Sequence, residues 1–190
     1  MRPLVYQAGV VRVLFYATLA VWVVRELVLQ VRTPGGGRDP SYYAMLAGPT
    51  AGIGLAFALA SVHDRLPGPR WAPAAVGLAL MWVGFVLRAW AIRALGRFFT
   101  VTVGVEEGHA VVDSGPYRHI RHPSYTGMLL FFVGLGLALD SWLSLAAATV
   151  FPLAGLVIRI VYEERLLLRE LGEPYATYTK RTSRLLPKIW

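Results

Sequence analysis

A chain of 190 residues has the length of one domain, but 56% of it is apolar and only 16% charged, which excludes an ordinary soluble composition. It has no cysteine, which excludes a disulfide, a thiolate nucleophile and a cysteine-bound metal and leaves the redox compartment unread. The formal net charge of +8 comes from Lys and Arg residues that flank apolar stretches rather than forming one basic face, a pattern that favours anionic lipid head groups over nucleic acid.

The first span is expected from Val10 to Val31, long enough at about 1.5 Å per residue to cross about 30 Å of hydrocarbon. Arg2 precedes it without a small-residue cleavage site after a short apolar core, so no removable signal peptide is read. Arg12 near one end, and Arg25 with Glu26 near the other, are expected to reach the interfaces. Thr33 to Pro40, with Gly35, Gly36 and Gly37, reads as a flexible loop without chemistry. The second span, Ser41 to Val62, places Ala44, Gly48, Gly52, Ala56 and Ala60 at four-residue spacing, a stripe that admits another helix closely, and Pro49 should kink it. Beyond Pro67 and Pro69, the third span, Pro73 to Leu95, contains Arg88, deep enough to need a partner or a wet cavity.

The segment from Arg97 to His122, which includes Glu106, Glu107, Gly108 and His109, is too polar to cross lipid and too long for a tight connector, as functional loops often are. It ends in a polar, aromatic and cationic run, Gly115 to Gly127, set against an apolar segment. Pro123 suits the first position of the following helix. The N–H groups of Ser124, Tyr125 and Thr126 are then expected to stand unpaired beside Arg121 and His122, as a site for a carboxylate or phosphate.

Tyr125 to Leu139 and Trp142 to Tyr162, the latter with Pro152 near its middle, read as a helical hairpin turning at Asp140. The tail starts with a polar helix from Glu163 to a cap at Gly172, and Pro174 opens another that carries Tyr175 and Tyr178. Lys180, Arg181, Arg184 and Lys188, with Arg93, Arg97, Arg118 and Arg121, place this face in the cytoplasm and, with five crossings, the N-terminus outside. The expected fold is an all-α polytopic membrane protein of about five transmembrane helices, with a helical hairpin and a cytosolic C-terminal cofactor-binding region. It is one domain, with a three-helix front part (residues 1–95) and a catalytic half (residues 96–190).

Arg159 and Glu163 share a helix face at i, i+4, where a structural ion pair is expected, whereas Glu164 diverges from Glu163 by about 100° and is expected to aim into a pocket that holds an ammonium or lies near a sulfonium. These groups suit a zwitterionic amino-acid moiety. The helix start with Arg121 or His122 would take its carboxylate, a glutamate its amine, and tyrosines would stack an adenine or face a methyl sulfonium. His119 and His122 lack a third ligand for a metal. A Ser124, His122 and Asp140 triad fails because Asp140 belongs across the membrane, and no phosphate-binding glycine loop is present.

Leu95 to Thr100, Glu107-Gly108-His109, the whole Gly115 to Gly127 run, Arg159 with Glu163 and Glu164, and Gly172-Glu173-Pro174-Tyr175 through Tyr178, Arg181, Arg184 and Pro187 occur in order over roughly the second half. In these elements the chain resembles a bacterial member of the isoprenylcysteine carboxyl methyltransferase family. The resemblance implies an integral membrane enzyme that uses S-adenosyl-L-methionine, contacted by His122, Pro123, Tyr125, Gly127 and Glu164, with Arg121, Tyr117 and Tyr178 beside them. It implies a lipophilic substrate entering from the bilayer and methylated at a carboxylate oxygen without a general base. Arg159, Glu163 and Arg184 are the candidate catalytic residues, and Arg88 is an outside candidate for the acceptor. The alternatives are a phospholipid N-methyltransferase, a nicotinamide-dependent membrane reductase with a similar C-terminal half, and a non-catalytic scaffold that uses the small-residue stripe as its interaction face.

Overall fold

The computed structural model describes residues 3–190 except 8, 33–38, 63, 103, 105–107 and 109. The loop expected at Gly35 to Gly37, and Glu106, Glu107 and His109, therefore lie outside the described residues. Among those described, the helices are α1 (Leu4–Gln7), α2 (Gly9–Arg32), α3 (Pro40–Leu59), α4 (Trp71–Leu95), α5 (Pro123–Ala138), α6 (Trp142–Leu171) and α7 (Glu173–Arg181). Short 3₁₀ turns follow α4 at Gly96–Phe98 and precede α5 at Gly115–Arg118.

Four helices, α2, α3, α4 and α6, are long and apolar enough to cross a membrane, and the protein is integral to it. α5 is apolar but has 16 residues, about 24 Å. α6 departs from expectation. It runs unbroken for 30 residues, about 45 Å, so Glu163 and Glu164 stand on the same rigid rod as the membrane-grade stretch and not on a separate tail helix.

Local chemistry sets the boundaries. Asp39 Oδ1 accepts from the N–H groups of Ser41 and Tyr42 and so caps α3, with Pro40 in its first turn. Gly172, with φ +58°, ends α6 where a side chain would be strained. At the hairpin, Asp140 has φ +53° and its carboxylate meets Arg65 Nε at 2.5 Å, while Ser141 Oγ caps α6 by accepting from Ser144 N.

Of the front-part spans, α3 and α4 each pack along a helix of the second half, while α2 lies against α4. The stripe on α3 lies against α6: a Cβ on Gly48 would come within 2.5 Å of the Phe151 carbonyl oxygen, and one on Gly155 within 2.5 Å of that of Ala44. The stripe is thus consumed inside the protein, which removes it as a scaffold's interaction face. α4 and α5 interlock in the same way through Gly77 with Gly134 and Gly84 with Gly127. α2 buries only Phe15, Thr18 and Trp22. The Trp22 ring stacks on Phe131 at 3.9 Å, and Glu26 receives Arg88 Nε and Nη2 at 2.7 and 2.6 Å. Glu26, expected to reach the interface, is the partner that the buried Arg88 requires.

Candidate active site

A cavity opens where α4 ends, α5 begins, α6 passes and α7 folds back. Leu95, Phe98, Leu167 and Leu171 form an apolar part of its lining. Of the expected cofactor residues, Tyr117, Arg121, His122, Tyr125 and Tyr178 line it, as do Arg159 and Glu163 of the expected catalytic residues. Pro123, Gly127, Glu164 and Arg184 are not in the lining. Pro123 starts α5 as expected, and Gly127 has its Cα pressed on α4, where a Cβ would meet the Gly84 carbonyl oxygen at 2.6 Å.

The tail straps this end of the molecule. Arg121 N donates to Ser183 O at 2.7 Å, His122 N to Arg184 O at 3.0 Å, and Ser183 N to His119 O at 3.2 Å. Thr126 Oγ1 adds a bond to Leu185 O at 2.8 Å. Two of the three N–H groups expected to stand unpaired at the start of α5 are paired. The Tyr125 and Thr126 N–H groups close back on the His122 carbonyl, both at 3.0 Å, and the tail lies against this turn.

The adjacent glutamates have opposite surroundings. Glu164 is buried and accepts Arg121 Nε at 2.8 Å and Arg184 Nε at 2.9 Å, with His122 Nε2 at 3.3 Å. Arg121 also donates to the carbonyls of Thr179 and Thr182 and so satisfies the end of α7. Glu164, expected to face the pocket, thus has its charge matched behind the wall, and Glu163 is the acid that lines the cavity. The 100° turn between neighbours sends one acid to the tail and the other to the cavity. Glu163 accepts the Tyr125 hydroxyl at 2.6 Å.

Arg159 is 1% exposed. Its direct ion pair is with Asp39, not with Glu163: Nη1 reaches Asp39 Oδ2 at 3.3 Å and Ser41 Oγ at 3.1 Å. Nη2 donates to Val101 O at 2.7 Å, and Nε to Tyr125 Oη at 3.3 Å. The Tyr125 hydroxyl therefore bridges Arg159 to Glu163 where a direct i, i+4 pair was expected. Sequence reasoning missed Asp39 and Ser41 altogether; Asp-Pro-Ser was legible as a helix cap, but nothing local ties it to a residue 120 positions away.

Burial raises the hydroxyl pKa of Tyr117 and Tyr175, reinforced at Tyr117 by Glu163 and at Tyr175 by Glu164, so both stay protonated donors. Tyr175 Oη and Thr102 Oγ1, two buried polar atoms of the cavity lining, have no hydrogen-bond partner among the described residues. Polar groups so placed are fitted by a ligand that supplies the missing bonds.

Residues 73–173 match the phospholipid methyltransferase family. A probable protein-S-isoprenylcysteine O-methyltransferase of Oryza sativa subsp. indica is 31% identical over 183 residues, covering 93% of this chain and 95% of that protein. The chain belongs to the isoprenylcysteine carboxyl methyltransferase family. Protein-S-isoprenylcysteine O-methyltransferase B of Arabidopsis thaliana is 36% identical over 115 residues, 60% of this chain and 58% of that one. The solved structure of the eukaryotic intramembrane Ras methyltransferase ICMT shares the fold with a TM-score of 0.63 at 24% identity, over 92% of this chain and 65% of that one. As a member of this family the protein is a methyltransferase and takes a methyl donor.

Proposed function

We propose that this chain transfers a methyl group from S-adenosylmethionine to the carboxylate oxygen of a lipophilic, isoprenoid-type acid held at the membrane interface. The observation that carries this reading is the balance of charge beside an apolar wall. Arg121, Arg159 and Arg184 are matched by Asp39, Glu163 and Glu164, and Leu95, Phe98, Leu167 and Leu171 complete the cavity. A self-neutral site holds one uncompensated buried ion only at a cost of several kcal/mol. A cationic donor and an anionic acceptor that enter together leave the site neutral.

The donor supplies an electrophilic methyl on a sulfonium, so that the acceptor oxygen gains the C–O bond as the C–S bond breaks, the electron pair stays on sulfur and no proton moves. The chain has only to bind, orient and exclude water. Glu163, which has no guanidinium within hydrogen-bond distance among the described residues, is suited to the cationic part of the donor. The Tyr175 and Thr102 hydroxyls are suited to its polar groups, and the His122 and Tyr125 rings, 5.5 Å apart and near parallel, to a flat or cationic one. Arg159 uses four of its five N–H bonds on described residues and keeps one on Nη2 for the acceptor carboxylate. Arg184 and Arg121 act through Glu164, holding the tail over the site. In this reading α5 is a fifth crossing, and the site and the C-terminus lie in the cytoplasm.

Calorimetric titration of S-adenosylmethionine into the protein in lipid nanodiscs tests the donor. Saturable binding is expected, weakened about tenfold by Glu163→Gln, the order of one charge-assisted contact. Glu164→Gln should instead lower thermal stability, because it strands Arg121 and Arg184. No binding by the folded wild type, or equal affinity in Glu163→Gln, overturns the assignment. The phospholipid methyltransferase match supports a second reading with an amine head group as acceptor. Labelled methyl appearing in phosphatidylethanolamine and not in an S-farnesylcysteine would establish it.

A further inference from the structure

Asp39 divides its two oxygens between separate tasks. Oδ1 caps α3 and accepts the Ser41 hydroxyl, while Oδ2 faces Arg159, and Ser41 Oγ accepts from the same Nη1. The caps and hydrogen bonds of α3 are thus built into the arginine that lines the cavity, although α3 belongs to the front half of the chain. Ser41 and Arg159 are 0% and 1% exposed, so the guanidinium is held in a dry setting by partners of fixed position. Ser41 also hydrogen-bonds the carboxylate, which holds Asp39 below the usual carboxylate pKa against the opposing effect of burial, so it is ionised at neutral pH.

We propose that Asp39, with Ser41, is a positioning residue that orients Arg159 toward the acceptor and tempers its charge. The inference rests on the reading of an acceptor carboxylate at Arg159. In that reaction the acceptor oxygen is anionic before transfer and becomes part of a neutral ester as its bond to methyl forms. An arginine with no counter-charge holds the anion more tightly than the transition state, in which that charge is fading, and such binding opposes turnover. An arginine balanced by Asp39 keeps its directed N–H while losing much of its attraction for a full negative charge. It therefore aligns the oxygen without holding it back, and it releases the ester.

Asp39→Asn is the informative variant, because asparagine caps a helix as well as aspartate does and so spares α3. The full-length protein is used in nanodiscs, with N-acetyl-S-farnesylcysteine and its methyl ester as probes. Without the donor, calorimetry should show the variant binding the acid several-fold more tightly than wild type and the ester unchanged. With the donor, kcat should fall about tenfold, with KM for the acid unchanged or lower. Ser41→Ala, which removes a hydrogen bond but no charge, should lower kcat by less and leave acid affinity as in wild type. A merely structural role would lower the active fraction without tightening acid binding. Unchanged or weaker acid binding in Asp39→Asn, with an active wild type, overturns the inference and leaves the function standing. A folded wild type that neither binds nor methylates the acid overturns the acceptor reading, and this inference with it.

Discussion

Glu163 and Glu164 are identical in chemistry and adjacent in the chain, and their surroundings assign them different work. Glu164 sits among Arg121, Arg184 and His122, so its charge is spent on the architecture of the wall. Glu163 keeps a carboxylate in the cavity, bonded to a neutral tyrosine. The tyrosines set the state of the other wall. Tyr178 donates to the Tyr117 carbonyl at 2.7 Å, and burial, partly offset by Arg121, pushes its hydroxyl up to about 12. The sign follows directly. The unfolded chain loses this proton near 10.0 and the folded one near 12, so the contribution to stability is complete below the first value and is lost between the two. Unfolding temperatures followed from neutral pH upward should show Tyr178→Phe less stable by about 1 kcal/mol at the start, with wild type falling toward the variant above pH 10.0. Parallel curves would contradict this.

At the scale of elements, close backbone approach is the dominant device. With few water-exposed apolar faces to bury in a bilayer, helices gain most where small residues let main chains touch. A Cβ on Gly134 would meet the Gly77 carbonyl oxygen at 2.5 Å and Met81 N at 2.7 Å, neither of which is a flexible side-chain end. Gly54 on α3 has nothing within 4 Å of that position. Gly134→Ala should therefore cost about 1–3 kcal/mol by overpacking, and Gly54→Ala should gain up to about 1 kcal/mol in helix propensity. Thermal unfolding followed by circular dichroism separates them, and a neutral Gly134→Ala would mean that α4 and α5 are not in the register described. These contacts were half legible. Four-residue spacing in α3 announced a close neighbour, but not that the neighbour is α6, and Gly127, taken from the resemblance as a cofactor contact, belongs to the same packing class.

Across the whole molecule, α3 on α6 and α4 on α5 pair the front part with the second half, so the site is anchored by both. The proposed cytoplasmic orientation of that site rests on the Lys and Arg residues in the tail and around the cavity, and it can be tested directly. Because the chain has no cysteine, single introduced cysteines report alone. In intact cells Ser61→Cys should react with a membrane-impermeant maleimide and Lys188→Cys should react only after lysis. The opposite pattern would invert the topology.

Hydrophobic spans, caps and turns were readable from the chain because each is decided within a few residues. Apolar length sets a crossing, Pro123 a helix start, Asp140 and Gly172 the breaks. The ordered polar elements of the second half likewise carried the family. What only the tertiary structure decided is which way those groups face and whom they meet: Glu164 turned to a tail arginine, Glu163 to the cavity, Glu26 to Arg88, and Asp39 with Ser41 to Arg159 across 120 and 118 positions. The physical reason is that helical periodicity fixes the angle between two side chains on one helix, while the partner that gives that angle meaning arrives through packing between distant segments.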